Sequence, residues 1–182
     1  GTNAVASGLD AIASGVGSLA NNDKSIAFGP FAQATGTQSM ALGSSSSATG
    51  NGALAAGALS KANGINSIAV GSNSFATGND AFTAGFNSSA TADNALALGT
   101  SAKASGIGSY AAGLQALASG ANAMALGTLT KASNADSWAA GYGAQASGTN
   151  STALGSGSLA TNTDAFAVGV QSRALASNAT SF

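Results

Sequence analysis

The 182-residue chain has no cysteine, no histidine and no glutamate, and a single proline. Without cysteine or histidine there is no disulfide framework, no Cys/His metal centre and no Ser-His or Cys-His nucleophilic pair. Charge is nearly absent: five Lys and Arg against six Asp make up 6% of the residues, where an ordinary soluble domain carries about a quarter. The net charge of −1 offers no basic patch for nucleic acid. No side chain titrates near neutral pH and no two carboxylates share a repeat, so the chain is expected not to be an enzyme and to need no cofactor. No apolar run approaches the ~20 residues of a membrane helix. Large apolar side chains are also few: Leu, Ile, Val and Phe together number 31, too few for a conventional core in a chain of this length.

In their place stand 45 Ala and 26 Gly. A core built from such residues is made of methyl groups, and its interior must be thin. The arrangement is periodic. The length is thirteen rows of 14, and Gly opens every row from Gly1 to Gly169 while Ala holds position six of every row from Ala6 to Ala174. Position four is always Ala, Ser or Thr, position eleven always Ala or Ser, and position thirteen is Ala in eleven rows. Position eight is Gly in eight rows and Asn in three (Asn22, Asn134, Asn162). The chain is therefore expected to be one repeat domain over residues 1–182, with no linker.

A half-period of seven invites a coiled-coil reading, and three facts oppose it. The large apolar residues sit at positions twelve and fourteen, which do not share a helix face. Periodic Gly costs a helix about 1 kcal/mol per residue relative to Ala. Glutamate is missing. Alternation fits strands instead: four and six point one way, five and seven the other, and likewise eleven and thirteen against twelve and fourteen. Gly at one and Gly or Asn at eight are read as turn residues with positive φ. Each row is then two short strands and two tight turns, one coil of an all-β parallel solenoid.

Small residues at four, six, eleven and thirteen are expected inside the coil. Outside the first strand, position five carries Lys61, Lys103, Lys131 and Arg173, a face read as solvated and as the best candidate for ligand contact. Outside the second strand runs an apolar stripe. Position twelve supplies Ile12, Ile26, Met40, Leu54, Ile68, Phe82, Leu96, Tyr110, Met124, Trp138 and Phe166. Position fourteen supplies Phe28, Leu42, Val70, Leu98, Leu126, Leu154 and Val168. Such a stripe exceeds the apolar patch a soluble monomer exposes, which points to association of identical chains along it. Large side chains sit beside small ones (Phe82 with Ala84, Tyr110 with Ala112, Trp138 with Ala140) and medium beside medium, as a close-packed layer requires. The number of chains that meet is left open by the sequence.

Other motifs reduce to the repeat. Gly-rich GNG at 50–52 recurs with the period and is not a phosphate loop. The six Asp, all at positions nine and ten, are scattered among rows and read as turn caps rather than a calcium ladder. Position five is too mixed for an ice-binding column.

Rows such as NSIAVGSNSFATG (66–78), NALALGTSAKASG (94–106) and NSTALGSGSLATN (150–162) resemble the head repeats of YadA-like trimeric autotransporter adhesins, and the resemblance covers the whole chain. It implies a left-handed parallel β-roll of about thirteen 14-residue coils, a homotrimer, display from a bacterial outer membrane, and non-catalytic attachment to host matrix proteins, cells, abiotic surfaces or sister heads. It implies a neck, coiled-coil stalk and membrane anchor downstream, so that these residues are a head fragment with no membrane contact of their own. The last row departs from the pattern at Leu175, Ala176 and Thr180, as a head ending before a neck would. A family segment of the form Asn-Ser-Val-Ala-Ile-Gly-x-x-Ser is associated with collagen binding. Asn66 to Ser74 is similar, which makes Asn66, Ser72, Asn73 and Ser74 candidate contacts, whereas Ile68 and Val70 are expected to face the oligomer axis.

Overall fold

A computed structural model describes residues 1–182. The chain is an all-β parallel solenoid of about thirteen coils. Each coil has a two-residue strand at positions five and six (Val5–Ala6 in the first) and a longer strand beginning at position twelve (Ile12–Ser14). The fold forms two compact units, Gly1–Asp93 and Asn94–Phe182. In the first, the short strands from Val5–Ala6 to Ser89–Ala90 form one parallel sheet and the long strands from Ile12–Ser14 to Phe82–Ala84 another. The second repeats the arrangement, with short strands from Lys103–Ala104 to Arg173–Ala174 and long strands from Leu96–Leu98 to Thr180–Ser181. The register advances by one row, so Lys61 lies beside Phe75 and Ile68 beside Phe82.

Such short strands hold because hydrogen bonds run from coil to coil around the turns as well as along the strands. The Ile12 amide donates to Ser25 O at 2.9 Å in the long-strand sheet. At the first turn Gly17 N donates to Thr2 O at 2.9 Å, and at the second Lys24 N donates to Leu9 O at 2.7 Å. The backbone is thus satisfied all round the coil.

The interior is as thin as the composition requires. Every buried apolar side chain is an alanine, and the buried polar ones are Ser and Thr. Positions four, six, eleven and thirteen face inward as expected. The buried hydroxyls turn back on their own backbone: Ser46 Oγ donates to Gly43 O at 2.8 Å, and Ser39 Oγ to Gly36 O at 2.6 Å. Each is a position-four or position-eleven side chain bonding the carbonyl three residues earlier, so a buried Ser carries no orphaned donor. Two hydroxyls escape this scheme, Thr83 Oγ1 and Ser109 Oγ, which are buried without a partner.

The turns correct the sequence reading. Position one has positive φ, as at Gly57 (137°), but Gly at position eight does not. Left-handed backbone falls instead at positions three and ten of every coil, mostly on non-glycine residues such as Asn3, Asp10, Lys24, Phe31 and Leu59. Where position eight is Gly it leaves no room for a side chain: a Cβ on Gly64 would overlap the Gly78 carbonyl of the next coil. Where Asn stands there instead, its side chain adds a bond to the next coil. Asn22, Asn134 and Asn162 each donate a side-chain amide to the position-seven carbonyl one coil on, those of Thr35, Ser147 and Leu175.

Candidate binding surface

With the interior closed by methyl groups and backbone, chemistry is available only in the outward columns. On the short-strand face Lys61, Lys103, Lys131 and Arg173 are all exposed. The face read as solvated is mixed, because half-buried Leu19, Phe75, Leu117 and Leu159 share the column. Lys61 Nζ lies 5.7 Å from the Phe75 ring centroid, within cation–π range. Lys103 and Lys131 flank Leu117 in register, which gives their stems an apolar neighbour.

The carboxylates are kept apart from these cations, on the second turn. Asp23 Oδ1 accepts Leu9 N–H at 2.9 Å and Asp93 Oδ1 accepts Asn79 N–H at 2.8 Å. Asn66, Asn122 and Asn150 donate their amides to Asp80, Asp136 and Asp164 at 3.2, 3.1 and 2.6 Å. In each case the Asp-bearing coil supplies an acceptor to its predecessor.

The Asn66–Ser74 segment divides. Asn66 is exposed but spends its amide on Asp80. Ser72 is exposed and donates to Ala58 O at 3.2 Å, and half-buried Asn73 donates to Asn87 Oδ1 at 2.9 Å. Ser74 is fully buried and donates to Gly71 O at 2.8 Å. Its hydroxyl occupies an interior position-four column, so it cannot touch a ligand and leaves the candidate set.

On the long-strand face the apolar columns point outward in both units. In the first, Ile12 and Phe28 remain 53% and 59% exposed, with Ile26, Met40, Leu42, Leu54, Ile68, Val70 and Phe82 completing the set. In the second, Trp138 remains 43% exposed among Leu96, Leu98, Tyr110, Met124, Leu126, Leu154, Phe166 and Val168. Tyr110, Met124 and Trp138 stack in register beside Ala112, Leu126 and Ala140, so bulk in one column alternates with bulk in its neighbour.

The sequence reading left the turn positions two and three as a second place for ligand contact and missed the apolar residues there, along the first-turn edge. Val16, Phe31, Leu59 and Phe86 in the first unit, and Leu114, Leu129, Tyr142 and Val170 in the second, are exposed apolar residues at positions two and three. No period signals them, because polar residues occupy the same positions in other rows. Beside this edge in the second unit lies a hollow of about 500 Å³ lined by Gly157, Leu159, Gln171 and Arg173.

The family model of the YadA head domain repeat matches the chain at 1–18, 6–32, 20–46, 34–60, 48–74, 62–82, 76–102, 104–130, 132–158 and 160–182. No curated protein matches it. Among solved structures, the crystal structure of the collagen-binding domain of the Yersinia adhesin YadA is similar, at 28% identity over 81% of this chain and 67% of that one, with a TM-score of 0.45.

Proposed function

The chain belongs to the YadA head domain repeat family, and from that premise we propose that it is the binding head of a trimeric adhesin displayed on a bacterial outer surface. Its targets are host matrix protein, cells, abiotic surfaces and sister heads. The observation that supports this reading is the division of the coil. Everything inward is small and structural, while the same outward position returns in the next coil one strand spacing away, about 4.8 Å. A surface of that kind presents one contact many times, and weak sites engaged together bind strongly. Three chains meeting along columns twelve and fourteen would remove the half-exposed apolar side chains from water at about 1.5–3 kcal/mol each, and would triple every remaining contact.

Two measurements test the reading. Replacing Lys61, Lys103, Lys131 and Arg173 by Ser should leave melting and oligomer size unchanged, since exposed charges contribute little to stability. Solid-phase adhesion to matrix protein should fall, and the remainder should lose its salt dependence. A head that adheres to nothing would instead be a spacer holding another adhesive domain away from the cell. Leu126→Asp places a charge in the apolar layer, which costs several kcal/mol per chain. Light scattering should then show loss of the trimer, and a trimer that survives the change overturns the assignment of that face.

A further inference from the structure

We propose that the first-turn edge of the last three coils, from Tyr142 to Arg173, is a subsite for a saccharide bearing a carboxylate, with the sugar ring on Tyr142 and the carboxylate on Arg173. The proposal rests on the adhesive reading and names one of its contacts.

Position three places Gly143 and Gly157 in consecutive coils. Their φ values are 65° and 67°, yet Phe31, Leu59 and Leu129 keep large side chains at the equivalent position with φ of 57°, 60° and 59°. The backbone therefore tolerates a side chain here, at the strain of about 1–2 kcal/mol that left-handed backbone costs an ordinary residue. Space does not demand glycine either: a Cβ on Gly143 would meet nothing within 4 Å, and one on Gly157 only the Gln171 Cγ at 3.5 Å. These two glycines differ from those of columns one and eight, where a Cβ collides with the next coil. What they accomplish is removal of two side chains from the edge; Gly157 lines the hollow of about 500 Å³, and Gly143 lies one coil before it.

The groups around the gap are complementary in chemistry. Tyr142 lies outside the lining of the hollow, in the coil before it: it is 63% exposed, and its carbonyl accepts the Gly157 N–H at 2.8 Å, which sets its backbone beside the hollow's Gly157 wall. Leu159 is half-buried and pairs in register with Arg173, and Gln171 stands on the same wall. The carboxylates of this unit, Asp136 and Asp164, belong to the second turn, where Asn122 and Asn150 donate to them. Arg173 has no counter-ion on its own face, and its planar fork suits a carboxylate in bidentate geometry. An aromatic ring, a leucine, an amide and a guanidinium over about 10 Å of stacked coils match a pyranose with an apolar C–H face, hydroxyls and one carboxylate. An acidic peptide would satisfy only the arginine.

The test is calorimetric titration of the whole chain with hyaluronan hexasaccharide, which carries uronate carboxylates and no sulfate, against its carboxyl-reduced counterpart. Arg173→Gln, Gly157→Leu and Tyr142→Ser each introduce a residue already present in the same column, at Gln145, Leu129 and Ser156, so the fold should accept them. The uronate form should bind, the neutral form should not, and each variant should weaken binding by about tenfold or more, as loss of an anchoring contact does. Gln33→Ser, at an exposed position of the other unit, should change nothing. No heat at millimolar hexasaccharide overturns the proposal. So does affinity that survives Gly157→Leu and Tyr142→Ser, or a glutamate peptide that binds as tightly, since either would reduce the site to charge attraction. Adhesion assays on the same preparations separate the two readings: adhesion with a flat titration removes the subsite alone, and absence of adhesion removes the adhesive function.

Discussion

Thr83 is the one residue larger than Ser or Ala in the position-thirteen column, and it is fully buried with an Oγ1 that meets no partner. A hydroxyl taken out of water and left unpaired costs about 1–3 kcal/mol. Thr83→Val exchanges that hydroxyl for a methyl of nearly the same shape and keeps the β-branch that suits a strand. The interior around it is methyl-lined, so the new methyl loses nothing by desolvation, although its slightly larger radius takes back part of the gain. A net stabilisation of about 1 kcal/mol is expected, or roughly 2–4 °C in Tm for a chain of this size. Thr83→Ser supplies the control: it keeps the unpaired hydroxyl, loses the methyl contacts and should melt below the parent. Paired thermal and denaturant unfolding of the three proteins at one chain concentration measures both shifts, with concentration fixed because association adds to apparent stability. A Thr83→Val protein that melts below the parent would show that the hydroxyl is in fact satisfied and would refute the reasoning.

Two further substitutions probe the coil itself. Ala118 is buried in the invariant position-six column, so Ala118→Leu has no room and should cost at least about 1–3 kcal/mol in denaturant unfolding; an unchanged midpoint would refute the inward assignment. Leu59 holds φ of 60°, a conformation that costs an ordinary residue about 1–2 kcal/mol and suits Asn better, so Leu59→Asn should raise the denaturation midpoint, and a lowered one would show that the Leu59 side chain contributes packing worth more than the backbone strain.

The coil was legible in the sequence because repetition amplifies weak signals. A single Ala-x-Ala says little about which face is buried, but the same spacing in every row fixes position six as interior and position twelve as exterior. The turns were harder to read. Lys24, Gln38, Phe31 and Leu59 give no sign that they adopt left-handed backbone, since that conformation is imposed by hydrogen bonds such as Lys24 N to Leu9 O from the neighbouring coil. Ser74 shows register outweighing motif: a family segment suggested a contact, while its place at position four already meant an interior hydroxyl. The hollow near Arg173 was invisible because it joins positions three and five of two neighbouring coils, a proximity that exists only after stacking.

The same stacking explains how such a head can change what it binds without changing how it folds. Most coil-to-coil hydrogen bonds join backbone atoms, with turn side chains such as Asp23, Asn66 and Asn73 adding others, and the interior is held by Ala, Ser and Thr whose side chains never reach the surface. An outward side chain at position five takes part in neither. Position five accordingly holds Lys, Gln, Ser, Leu and Phe in different coils, and position three holds Gly, Asn, Phe, Leu and Gln, with the backbone at position three keeping φ between 54° and 67° throughout. Substitutions drawn from within position five should therefore alter binding with little effect on folding, those at position three also change the cost of left-handed backbone, and those at positions one and six meet the next coil's backbone or a closed interior. The columns thus divide the chain into positions where variation tests function and positions where it tests only the fold.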